Sequence, residues 1–123
     1  MTRCAGLDVH QATVTGEEVW SKPAAQKLCG TARGCGAGQG AAVTAIPGAV
    51  FAVSNDGGVR AHSSADGTIV WQFDTNREFQ TVNGVSAHGG AMDGPGVIIA
   101  NGMLCYFFPA RAASLIAFRR GRS

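Results

Sequence analysis

The chain has 123 residues, 18 of them Gly, with 46% hydrophobic and only 15% charged residues. This excludes a coiled coil, which is Gly-poor and charge-rich, and a disordered chain, which is poor in apolar residues. Ten Lys and Arg against eight Asp and Glu leave a formal net charge of +2, which is no nucleic-acid footprint, and a turn-rich, β-rich globular chain remains.

The first forty residues carry weak structural signals. Met1 to His10 lacks the apolar run of a secretory signal. Glu17-Glu-Val-Trp20 reads as a strand, and Ser21 to Gly40 reads mostly as loop. That loop holds Cys29 and Cys35, six positions apart. Zinc would want tighter pairs and a second ligand pair, which His10, His62 and His88 do not supply. A loop-closing disulfide is the better reading, with Cys4 and Cys105 unpaired, and such a bond implies an oxidising compartment. Gly36-Ala-Gly-Gln-Gly40 is Gly-rich, but without a strand before it and a helix after it, it is no nucleotide fingerprint.

Strand signals sharpen from residue 43 onward. Ala49-Val-Phe-Ala-Val53 is a short apolar run, and Asn55-Asp-Gly-Gly58 is a hairpin turn tolerant of positive φ. Val59-Arg-Ala-His62 alternates apolar and polar. After the turn Ser63-Ser-Ala-Asp-Gly67, Thr68-Ile-Val-Trp-Gln-Phe-Asp74 puts Ile69, Trp71 and Phe73 on one face. These three strands predict an antiparallel meander with Trp20, Trp71 and Phe73 in the core. Thr75 to Pro95 reads as one long polar, Gly-rich loop, a kind usually reserved for function. Asn101-Gly102, between Val97-Ile-Ile-Ala100 and Met103-Leu-Cys-Tyr-Phe107, is the strongest hairpin signal. Ser114-Leu-Ile-Ala-Phe118 is one more strand. Arg111, Arg119, Arg120 and Arg122 form a basic end that reads as solvated. No stretch suits a membrane helix, since the longest uncharged run, Gly94 to Ala110, is short and broken by Gly and Pro.

Two partial copies of one element recur. Gly16 and Trp20 are matched by Gly67 and Trp71, each 51 positions later. A Gly turn followed by a strand with Trp, at that period, points to a β-propeller. Asp56-Gly57, Val59-Arg-Ala61 and Asp66-Gly67-Thr-Ile-Val-Trp71-Gln-Phe73 resemble the tryptophan-docking repeat of quinoprotein dehydrogenases. Ala42 to Phe51, Thr81-Val-Asn-Gly-Val85 and Gly89-Gly-Ala-Met-Asp-Gly-Pro-Gly96 resemble the C-terminal blades of their polyvinyl-alcohol dehydrogenase branch. The resemblance covers roughly residues 14 to 104.

It implies an all-β fold of two to three blades of an incomplete propeller, each blade a four-stranded antiparallel sheet. The segments would be 1–40 (the end of one blade plus the Cys loop), 41–74 (a blade), 75–96 (the polar loop) and 97–123 (a partial last blade). It implies pyrroloquinoline quinone and Ca²⁺ as cofactors, an alcohol or polymeric hydroxyl substrate, an electron acceptor such as cytochrome c, and a periplasmic parent. The loop residues Arg77, Asn83, Gly89, Gly90 and Asp93 are the cofactor-facing candidates: Arg77 for a quinone carboxylate, Asn83 and Asp93 as oxygen donors, and Gly89 and Gly90 for close backbone approach. The catalytic acid and the metal ligands are not assignable to positions here. After Met103-Leu104 the sequence departs from the family, as a truncated or frame-disturbed product would. The contrasting expectation is a non-catalytic propeller fragment that self-associates through exposed blade faces, because open arrays leave apolar faces unburied. Neither expectation involves nucleic acid or membrane.

Overall fold

The structure, a computed structural model, describes residues 6–11, 18–33, 35–108 and 114–119. Cys4, Arg111, Arg120 and Arg122 lie outside them. All regular elements among the described residues are strands. In chain order they are β1 (Gly6–Gln11), β2 (Glu18–Pro23), β3 (Gly40–Ala41), β4 (Thr44–Ile46), β5 (Ala49–Val53), β6 (Gly58–Ser63), β7 (Ile69–Asp74), β8 (Glu78–Gln80), β9 (Ser86–His88), β10 (Asp93–Gly94), β11 (Ile98–Ala100), β12 (Met103–Phe108) and β13 (Ser114–Arg119). The centrepiece is the four-stranded antiparallel sheet β4-β5-β6-β7, a complete blade. The sheet β11-β12-β13 forms part of a second, and β1 pairs with β2. The meander expected from the alternating sequence is therefore present, extended by β4.

Register explains which residues are buried. Val53 pairs with Val59 and Phe51 with Ala61, so these share one face of the blade. That face meets Leu104 and Tyr106 of β12, and Met92 and Val97 seal the cluster with Phe73 and Phe118 packed at its border. On the opposite face Val50 pairs with His62 and Ala52 with Arg60. The sequence pattern marks Arg60 and His62 as outward-facing, yet they are only 3% and 2% exposed. The blade is covered on both sides, so alternation does not sort inside from outside here.

Trp20 covers that second face. Its indole Nε1 donates to the Ser64 carbonyl at 2.9 Å, and its ring stacks on His62 with centroids 6.3 Å apart. His62 Nδ1 lies 3.0 Å from the Gly67 carbonyl. A carbonyl only accepts, so Nδ1 carries the proton. Gly67 has φ +74, and a Cβ there would sit 2.5 Å from the Trp20 ring. The turn thus needs Gly twice, for its backbone and for the indole lying on it.

The two Trp residues expected in the core differ. Trp20 is 8% exposed, whereas Trp71 is 37% exposed and meets Phe118 edge-on at 5.6 Å. The β6–β7 connection offers Gly67 to Trp20. A second correction concerns Thr75 to Pro95. It is not one loop, because β8 and β9 form a hairpin and β10 pairs in parallel with β3.

Gly67→Ala combines a strained left-handed Ala with an indole clash and is expected to cost about 3 kcal/mol. Chemical denaturation checks the cost, and a red shift in tryptophan emission reports loss of the Trp20 seat.

Candidate functional site

The end of the blade that carries the β5–β6 turn is organised by one carboxylate. Asp56 is 1% exposed. Its Oδ1 accepts from Ser54 Oγ at 2.6 Å, the Gly58 amide at 2.9 Å and Arg60 Nη1 at 3.2 Å. Its Oδ2 accepts from Arg60 Nη2 at 2.7 Å and the Leu28 amide at 3.0 Å. Arg60 is fixed in turn, because its Nε donates to Gln72 Oε1 at 2.9 Å and Nη2 to the Gln26 carbonyl at 3.4 Å. Burial pushes the Asp56 carboxyl up, but the bonds from Arg60, Ser54, Gly58 and Leu28 outweigh it and hold the pKa at about 2. Sequence reading treats Asp56-Gly57 as a turn dipeptide and so misses this pair. The available signal was Arg60, four positions on from Asp56.

Leu28 leads into a loop closed by the Cys29–Cys35 disulfide, with Cα atoms 5.7 Å apart. Within it, Ala32 N donates to Cys29 O at 3.2 Å and Cys35 N to Ala32 O at 3.0 Å. Cys105 is a free thiol. Cys29, Ala32, Arg33 and Cys35 of this loop line an open niche of about 140 Å³ together with Asn55, Asp56, Asn76 and Ala91.

Of the five cofactor candidates, Arg77, Gly89 and Gly90 lie together at the base of the β8–β9 hairpin, and Asn83 and Asp93 lie elsewhere. Arg77 is exposed, with its guanidinium carbon 4.4 Å above the Phe73 ring and 5.3 Å from that of Phe79. It has no carboxylate partner among the described residues. Its carbonyl accepts from the Gly89 amide at 3.1 Å, which places Gly89 at the base of the β8–β9 hairpin. A Cβ on Gly89 would lie on the Thr75 carbonyl, so that close approach serves packing within the chain. Gly90 has open space beside it. Asn83 sits in the hairpin tip, where its Oδ1 accepts from Thr81 Oγ1. Asp93 lies on the β3–β10 ladder, caps the Gly94 amide at 2.8 Å, and its carbonyl accepts from Tyr106 Oη at 3.3 Å. Burial, set against that hydrogen bond, pushes the Tyr106 hydroxyl up.

Arg77 therefore fits a carboxylate of a planar cofactor, as an open cation braced on aromatic rings. The donor set does not fit Ca²⁺. No three of the His, Cys, Asp and Glu side chains among the described residues come together, and Asn83 and Asp93 are on separate elements.

Asp56 sets an acid limit. Its folded pKa lies below the ordinary 3.8, so its contribution is complete above that value and is lost as pH falls through about 2. The loss should reach about 2 kcal/mol. Denaturant midpoints measured from pH 5 down to pH 2 should show it for the wild type, and Asp56→Asn should lack this acid step.

The sequence matches the PQQ_2 family model, described as outer membrane protein assembly factor BamB, over residues 7–114. It is similar to a polyvinylalcohol dehydrogenase of Pseudomonas sp., 45% identical over 91 residues, which cover 72% of this chain and 14% of that protein. It is also similar to a polyvinylalcohol dehydrogenase of Sphingopyxis sp. (strain 113P3), 48% identical over 64 residues, covering 51% of this chain and 10% of the relative. The chain thus corresponds to a small part of the length of the curated relatives it matches. With its four-stranded blade and docked Trp20 inside the matched span, the chain belongs to the PQQ_2 family of β-propeller repeats.

Proposed function

We propose that the chain supplies blades to a pyrroloquinoline-quinone-dependent alcohol dehydrogenase that oxidises secondary alcohols or hydroxylated polymers and passes electrons to an acceptor such as cytochrome c. The observation that supports this reading is Arg77, an exposed guanidinium seated on Phe73 and Phe79 just before β8. When bound, the quinone would supply the hydride acceptor. Arg77 would bind and orient one of its carboxylates. The rings would brace the guanidinium for that contact. A periplasmic setting agrees with the Cys29–Cys35 disulfide. Ca²⁺ would be held by residues other than Asn83 and Asp93.

A second reading, a non-catalytic propeller module, is favoured by the separation of Asn83, in the β8–β9 hairpin tip, and Asp93, on the β3–β10 ladder, from Arg77. Titration of the chain with pyrroloquinoline quinone separates the two. The dehydrogenase reading expects saturable quinone absorbance changes, weakened about tenfold in Arg77→Gln through loss of one charge-assisted contact. Dye reduction by secondary alcohols is the accompanying activity readout. Equal quinone affinity in wild type and Arg77→Gln would remove Arg77 from the site and leave the module reading.

A further inference from the structure

Two Asn-Gly pairs occur in the chain, Asn83-Gly84 and Asn101-Gly102, and both are exposed. Such a pair is able to modify itself. The Gly amide nitrogen attacks the side-chain carbonyl carbon of the Asn before it, and Gly leaves that approach unhindered because it has no Cβ. A Cβ on either Gly84 or Gly102 would meet nothing within 4 Å, so access does not separate the two pairs. Their settings do.

Asn101 is pinned by its hairpin. It occupies a two-residue turn between the paired Ala100 and Met103, in the left-handed region at φ 52. β12 goes on to pair with β13, so rotating the Asn101 main chain toward ring closure works against two ladders. Its side-chain amide has no hydrogen-bond partner among the described residues. Asn83 sits in a longer connection, residues 81–85, beyond the last β8–β9 pair of Gln80 and Ser86. Its neighbour Val82 stands fully in water. The Asn83 side-chain carbonyl is also engaged. Thr81 Oγ1 faces both Asn83 Oδ1 and the Val85 carbonyl, so its one hydroxyl proton is shared between two acceptors. A hydrogen bond at Oδ1 draws electrons from Cγ and stabilises the oxyanion that forms when a nitrogen attacks there.

We propose that Asn83-Gly84 is a self-modification site, at which the Thr81 hydroxyl activates the Asn83 amide toward attack by the Gly84 nitrogen. The Gly84 amide first releases its bond to the Thr81 carbonyl at 3.1 Å and gives its proton to hydroxide. The new bond joins Gly84 N to Asn83 Cγ. The Cγ–Nδ2 bond breaks, and the amine leaves as ammonia with a proton from water. Water then opens the cyclic imide at one of its two carbonyls, giving aspartate or isoaspartate. The sequence is an acyl transfer followed by hydrolysis, with no change of oxidation state. Either product puts a carboxylate at the hairpin tip, and isoaspartate adds one carbon to the main chain there. β8 carries Phe79, one of the rings under Arg77, so the altered hairpin is the one that braces that cation.

The test is incubation of the full chain in mildly alkaline buffer, followed by fragmentation mass spectrometry that locates a gain of one mass unit at Asn83 or at Asn101. Methyl transfer by an isoaspartyl methyltransferase measures the isoaspartate formed. Conversion at Asn83 should be at least about fivefold faster than at Asn101, the effect of one neutral hydrogen bond gained in the transition state. Thr81→Val should slow conversion at Asn83 by about the same fivefold. Thr81→Ser, which keeps the hydroxyl, should convert at the wild-type rate. The proposal is overturned if Asn101 converts as fast as Asn83, if Thr81→Val converts at or above the wild-type rate, if Thr81→Ser is slowed as much as Thr81→Val, or if the aged chain accepts no methyl group.

Discussion

The buried Asp56 carboxylate is the constraint on which this part of the protein depends. Five donated hydrogen bonds converge on two oxygens, one from Leu28 and four from the β5–β6 hairpin that carries Asp56 itself. Removing an ion pair from water consumes much of its Coulomb energy, so the pair's main effect is geometric. Asp56 closes the β5–β6 turn, and Leu28 N ties the disulfide loop to that turn. Arg60 reaches Gln72 on β7 and Gln26 on the incoming segment. Deleting either charge would leave the other buried and unpaired, a penalty of about 3–5 kcal/mol. Through Leu28 the network ties the disulfide-closed loop to the β5–β6 turn.

The blade joint obeys a different physics. Trp20 is held by shape and one hydrogen bond, with its ring against a backbone that only Gly67 can present. Trp71 is the same residue at the same repeat position, yet it stays 37% exposed. Its neighbours are Phe73 and Phe118 instead. The aromatic group Phe73, Phe79 and Phe118 then serves two ends, closing the apolar cluster and bracing Arg77.

Much of the fold was legible because short-range chemistry decided it. Asn101-Gly102 makes its hairpin, with Asn101 at φ 52, and the strands around Asn55–Gly58 fall where alternation puts them. The 51-residue echo led to the propeller repeat. What sequence could not reveal was set by partners remote in the chain. Arg60 and His62 look solvent-facing until Trp20 and Gln26 arrive from more than thirty positions away. Gly89 looks like a cofactor contact until Thr75 occupies the space beside it. The loop candidates were legible by resemblance, and the separation of Asn83 from Arg77 comes from the β8–β9 hairpin, whose short strands lacked an alternation long enough to read.

The central claim is that Asp56 docks the loop at residues 28–35 onto the blade. Amide hydrogen exchange at Leu28, compared with Gly58, tests it most directly, since both amides donate to this one carboxylate. Leu28 should be protected together with Gly58, and Asp56→Asn should release both, in keeping with a single cooperative unit. Leu28 exchanging as fast as an open loop while Gly58 remains protected would contradict the account.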